Sequence, residues 1–261
     1  MVLLLYPFFL CQFLSATGQS YQVEQVLNIQ LDLGLKPKVK PVTETDLKEI
    51  YTQNLKDVLS LIFFESDSAF EALKVLEEER IEAINSYTQD NPWKGFLKAE
   101  TKLQWAFLKL KYGEEWGAFW GLKNASRYVE DNKNDFPDFN LIYRTSGLLQ
   151  VLFGITPDTY QWVFNLFGMK GNVLTGIKEL ELVKDNEDIF GLETNIILGM
   201  IYSHLLEDFG ISSEFIKKHP FSNSPLAHYF PKGLSFKNLI NQKQHANYGS
   251  QIKSISLLRL I

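Results

Sequence analysis

From residue 44 onward the apolar residues step by three and four, and nowhere do they alternate. Leu47, Ile50, Tyr51, Leu55, Val58, Leu59 and Ile62 lie along one stripe of a helix. A β-sheet needs a period of two, so an all-α fold is the expectation. Helix-end signals divide the chain further. Ser68-Ala69-Phe70-Glu71 has the pattern of a capping box, and Asn91-Pro92 reads as an N-cap followed by a proline at the first helical position. Gly113 and Gly168 stand where helices should stop, and Thr156-Pro157-Asp158 where one should start. Further helices are expected over 173–184, 189–209 and 213–217. The connections are short, which makes neighbouring helices antiparallel hairpins.

Residues 2–14 form an apolar run broken only by Pro7 and Gln12, too short for a bilayer-spanning helix of about 20 residues. Ala16 and Gly18 put small side chains at the −3 and −1 positions of a signal-peptidase site. Residues 1–18 are therefore expected to be a secretory signal peptide cleaved near Gly18. The segment carries no Lys or Arg, so a start further upstream is one expectation. Cys11, the one cysteine, follows Phe8-Phe9-Leu10 rather than the small residues of a lipobox. Cleavage would leave a mature chain without cysteine, suited to an oxidising compartment. Residues 19–43, with Lys36-Pro37-Lys38-Val39-Lys40-Pro41, read as an N-terminal segment and linker. Residues 44–248 read as the helical domain, and 249–261 as a truncated or non-native tail, because its apolar ending lacks the polar face of a capping helix.

Small residues mark where helices can approach. Ala106, Ala118 and Ala125 fall twelve and seven apart, with Leu122 between the last two. This spacing resembles the tetratricopeptide repeat, and Ser60, Ala72 and Leu76 echo it. Lys109 and Glu130 stand where the repeat carries a tyrosine and a proline, and no strict 34-residue period recurs. A longer ordered series runs from Ala99-Glu100-x-x-Leu103-x-x-Ala106 through Gly147-Leu148-Leu149 and Pro157. It continues to Leu166-Phe167-Gly168-Met169-Lys170-Gly171, Gly176 and Leu180. Over residues 93–183 the chain is thus similar to a divergent tetratricopeptide-like family of exported bacterial proteins and eukaryotic outer-membrane-associated repeat proteins. The resemblance implies an α-solenoid of stacked antiparallel hairpins, with Gly168 ending a helix, Gly171 turning the chain and Gly147 and Gly176 permitting close packing. It implies a protein-binding scaffold and no catalytic residues.

The search for chemistry agrees with a binding protein rather than an enzyme. Gly171 to Gly176 has P-loop spacing, but Ile177 stands where the phosphate-binding lysine belongs. His204-x-x-Glu207 offers two ligands on one helix face, fewer than a metal needs. Ser250-x-x-Lys253 has no supporting motif, and no metal or cofactor is expected. The net charge of −5 with no basic tract argues against nucleic acid. Glu77-Glu78-Glu79-Arg80 reads as a solvated helix face, whereas Glu100, among Leu97, Leu103 and Trp105, requires a buried partner. Aromatic residues make up 14% of the chain, and Trp93, Trp105, Trp116 and Trp120 crowd one hairpin. They cannot all face its core, so they are the candidate binding residues. The expected function is an exported scaffold, periplasmic or peripheral at the outer membrane, holding a protein partner on a concave helical surface. The alternative is a glycan- or lipid-binding module using the Trp-rich hairpin.

Overall fold

The computed structural model describes residues 43–186 and 189–217; the signal peptide, the linker and the C-terminal tail expected from the sequence lie outside them. Every regular element among the described residues is helical: α1 (Glu44–Phe64), α2 (Asp67–Leu73), α3 (Leu76–Asn85), α4 (Pro92–Lys111), α5 (Glu115–Asp135), α6 (Ile142–Gly154), α7 (Asp158–Leu166), α8 (Val173–Glu181), α9 (Ile189–Met200) and α10 (Phe209–Lys217). A π-helical turn, Ile201–Leu205, follows α9.

Local chemistry sets these boundaries. Thr43 and Asp46 form a reciprocal capping box at the start of α1. Asn91 accepts from the Trp93 N–H ahead of Pro92, as the sequence suggests. The cap of α2 is Ser66 rather than Ser68, and the helix breaks at Lys74 and Val75 instead of running on to Tyr87. Ala72 is exposed, so the small position of the early echo packs nothing there, although Ser60 and Leu76 are buried. Both Gly113 and Gly168 take left-handed φ (79° and 76°). Each closes a Schellman motif, Glu114 N–H bonding Lys109 C=O at 2.7 Å and Met169 N–H bonding Phe164 C=O at 2.9 Å.

The chain divides into two compact units, residues 1–194 and 195–261. In the first, α4 is the central element, packed by α5, α1, α3 and α6. It is buried continuously from Ala99 to Leu108, so even its polar positions face protein. The α4–α5 hairpin closes where Gly121 meets Ala106; a β-carbon on Gly121 would come within 3.0 Å of the Ala106 methyl. Ala118 and Ala125 are buried beside it. The second close pair is α6 with α8, where Gly147 and Gly176 face each other so tightly that either β-carbon would strike the opposite carbonyl, at 2.6 and 2.5 Å. Gly171 lies against the Gln150 carbonyl and the Gly154 N–H, leaving no room for a side chain. In the second unit, Tyr202 stacks on Phe215 at 5.4 Å and Ser212 donates to the Gly199 carbonyl at 2.8 Å.

Candidate functional site

The four candidate tryptophans separate by helix. Trp105 on α4 is fully buried, and its indole N–H donates to Asn54 Oδ1 at 2.8 Å. Trp93, at the start of α4, lies edge-on to Phe139 and Phe96 at 5.4 and 5.8 Å, with the Lys48 ammonium 4.0 Å from its ring centre. Neither presents a surface to a partner. Both act as core and leave the binding set, because each ring is packed among neighbouring side chains. Trp116 and Trp120 on α5 are 74% and 48% exposed.

These two rings rest on a braced aromatic base. Phe119 is buried beneath them, 6.2 Å from Trp116 and 5.5 Å from Trp120, both nearly perpendicular. Phe167 reaches across from the end of α7 to Phe119 at 5.0 Å and to Trp120 at 5.9 Å. Gly168 makes that reach feasible, since its left-handed turn ends α7 and lets Met169 bury while Phe167 stays at the surface. Lys123, one turn beyond Trp120, holds its ammonium 5.1 Å from Trp120 and 4.5 Å from Phe167. On α7, Trp162 and Leu166 lie one turn apart and are 65% and 72% exposed. Large aromatic and aliphatic side chains left in water on well-packed helices mark an interaction surface. The sequence holds the i, i+4 pair Trp162 and Leu166 in plain view, but only the fold assigns it to the solvent side.

Glu100 has the partners its burial demands. Arg144 of α6 bridges Glu100 and Glu193, and the Thr145 hydroxyl also donates to Glu100. From Glu193 the chain of contacts runs on through Tyr51 Oη (2.7 Å), Gln104 Nε2 (3.3 Å), Asn54 (2.6 Å) and Arg80, which pairs with Asp57. This polar spine joins α1, α3, α4, α6 and α9. The expectation that residues 77–80 form a solvated face is overturned, because Arg80 and Glu77 are buried while Glu78 is exposed. Glu77 instead takes Lys102 at 3.0 Å and Lys109. Burial pulls the Lys102 ammonium down, but its hydrogen bond to Glu78 and the charge of Glu77 outweigh this and hold it above the usual lysine value. Arg144, the lone charge in α6, was the sequence signal for this partner.

Each member of the spine bonds at least one other member, and all of them are buried. Gly171 and Gly176, the P-loop-like pair, are spent on helix packing. Among the described residues no group of three or more His, Cys, Asp and Glu is placed to hold a metal, and no helix is long and apolar enough to cross a membrane. The His204 side chain lies outside the described residues. No family model matches the chain, and no curated protein or solved structure shows significant similarity to it.

Proposed function

We propose that the chain is an exported, non-catalytic scaffold of tetratricopeptide-like stacked hairpins that binds a protein partner through the aromatic face of α5 and α7. The carrying observation is the exposure of Trp116 and Trp120, whose rings lie against Phe119 and, for Trp120, also against Phe167. Tryptophan anchors dominate protein interfaces because they bury a large area with few rotors to freeze, and bracing by Phe119 and Phe167 lowers that cost further. The stacked-hairpin reading is supported by the neighbours of α4. It touches α1 and α3 before it and α5 and α6 after it, as the first helix of a hairpin between two others would. Residues 1–18 supply export to the periplasm, with peripheral association at the outer membrane.

Crosslinking the tagged full chain in its native envelope, followed by mass spectrometry, tests this reading. A protein partner recovered in near-stoichiometric yield, and lost with Trp116→Ala/Trp120→Ala at unchanged melting temperature, supports it. Recovery that ignores those substitutions refutes it. The same exposed rings would suit stacking on a sugar, and that second reading requires the intrinsic tryptophan fluorescence to shift as a glycan is titrated. The mature N-terminus, read by intact mass, tests cleavage at Gly18.

A further inference from the structure

The exposed face of α5 does not end with its aromatic residues. Trp116, Trp120, Lys123 and Arg127 recur at i, i+4, i+7 and i+11, so they form one ladder up the same side of the helix, roughly 16 Å long. The lower half is apolar and the upper half is cationic. Arg127 lies 5.2 Å from the Tyr128 ring centre, and Lys98 of α4 approaches the same ring at 4.6 Å. Lys94 stands one turn before Lys98 and donates to the Tyr87 carbonyl at 2.7 Å.

These cations differ from other lysines among the described residues. Lys48, Lys74, Lys102, Lys109, Lys111 and Lys133 each reach a carboxylate within 3.0 Å. Lys98, Lys123 and Arg127 make no ion pair among the described residues and rest on aromatic rings instead. Burial, followed by repulsion from Lys94 and Arg127, holds the Lys98 ammonium below the usual lysine value, and Asp131 opposes this only in part. Glu130 and Asp131 stand on the next turn of α5, three and four residues beyond Arg127, so Lys94, Lys98, Lys123 and Arg127 set four cations against two acids in a chain of net charge −5.

Building on the protein-binding reading of the aromatic face, we infer that its partner is a polypeptide segment with apolar anchors followed along its length by carboxylates. The anchors sit on Trp116, Trp120 and Phe167, and the acids pair with Lys123, Arg127 and Lys98. The order along the ladder, apolar then cationic, fixes the polarity of the bound segment. A flat anionic lipid surface would carry no such order.

The test is selection of a displayed peptide library, with segments of roughly twelve residues to match the ladder, on the folded full chain. Enriched peptides should carry aromatic or aliphatic anchors at one end and Asp or Glu at the other. Lys123→Glu/Arg127→Glu should weaken them about tenfold and turn a repeated selection toward Lys and Arg. Both residues are at the surface, so an unchanged thermal melt shows that the variant is folded. Enriched peptides that need Trp116 and Trp120 but show no excess of acid, or whose binding ignores the charge reversal, overturn this inference and leave the protein-binding reading standing. A selection that enriches nothing dependent on the two tryptophans, while phosphatidylglycerol vesicles bind through them, overturns both.

Discussion

Helices α4 and α5 belong to one hairpin, are about equally long and each carry two tryptophans, yet the tryptophans of α4 are core and those of α5 are surface. The cause lies in the neighbours. α4 is packed by α1, α3, α5 and α6 and is buried without a break from Ala99 to Leu108, so even Glu100, Gln104 and Lys102 must find partners there. α5 packs chiefly through Ala118, Gly121, Leu122 and Ala125 against α4 and leaves its other side to water. Composition is therefore a poor guide to role in this hairpin, and the number of flanking helices decides it. Exposed tryptophan on α5 is unexplained by packing, and the proposed partner is what would account for it. Buried carboxylate on α4 is explained by folding and calls for none.

The largest expected effect breaks the buried side. Arg144 stands between Glu100 and Glu193, so Arg144→Met leaves two buried carboxylates without the guanidinium that neutralised them. A loss of about 3–5 kcal/mol is expected in chemical denaturation. Glu100→Gln should cost less, because Arg144 keeps Glu193. The order sharpens the comparison: equal losses would mean that the spine contributes through packing rather than charge.

Next in size is Gly147→Ala. Its β-carbon would strike the Gly176 carbonyl and crowd Leu180, and neither backbone can yield without parting α6 from α8. About 1–3 kcal/mol is expected, read from the melting temperature. Trp116→Ala/Trp120→Ala should do the reverse of Arg144→Met. Stability should move by about 0.5 kcal/mol or less per site, while about 2 kcal/mol or more of binding to the captured partner is lost. A large fall in melting temperature would show that the aromatic face serves the fold and would erase the contrast between the two helices.

Much of the fold was legible because helix ends are written in single residues. Asn91-Pro92, Gly113, Gly168 and the periodicity of α1 placed helices where they occur, and the spacing of Ala106, Ala118 and Ala125 located the close hairpin. What failed was reading a helix face without knowing its surroundings. Glu77 and Arg80 belong to a charged run that any periodicity argument sends to solvent, and only the proximity of Asp57, Lys102 and Lys109 makes burial tolerable. For the site, the sequence identified the crowded hairpin but could not divide its tryptophans. It offered no sign that Phe167 would brace Trp120 from another helix, because that contact depends on where the turn at Gly168 points. The glycines of α6 and α8 were readable as packing sites, whereas Gly121 passed unnoticed beside the alanines it complements.

The smallest expected effect tests the cationic half of the α5 face. Burial, and then repulsion from Lys94 and Arg127, hold the folded-state pKa of Lys98 below the ordinary lysine value of 10.5, so its charged form is penalised in the folded chain and not in the unfolded one. As the pH rises from the lowered value toward 10.5, the folded state releases its proton first. The unfolded state then holds more protons, and stability gains from this group across that window. Lys98→Gln should remove the penalty at neutral pH, stabilising by about 0.5 kcal/mol in chemical denaturation given its half-exposed position, and should flatten the alkaline gain. The acidic peptide should partly reproduce the neutral-pH gain in the parent chain and add less in the variant, because it neutralises the same surplus. If Lys98→Gln destabilises instead, the contacts of Lys98 with Asn85 and Tyr128 outweigh the repulsion, and the surplus of positive charge is already balanced within the fold.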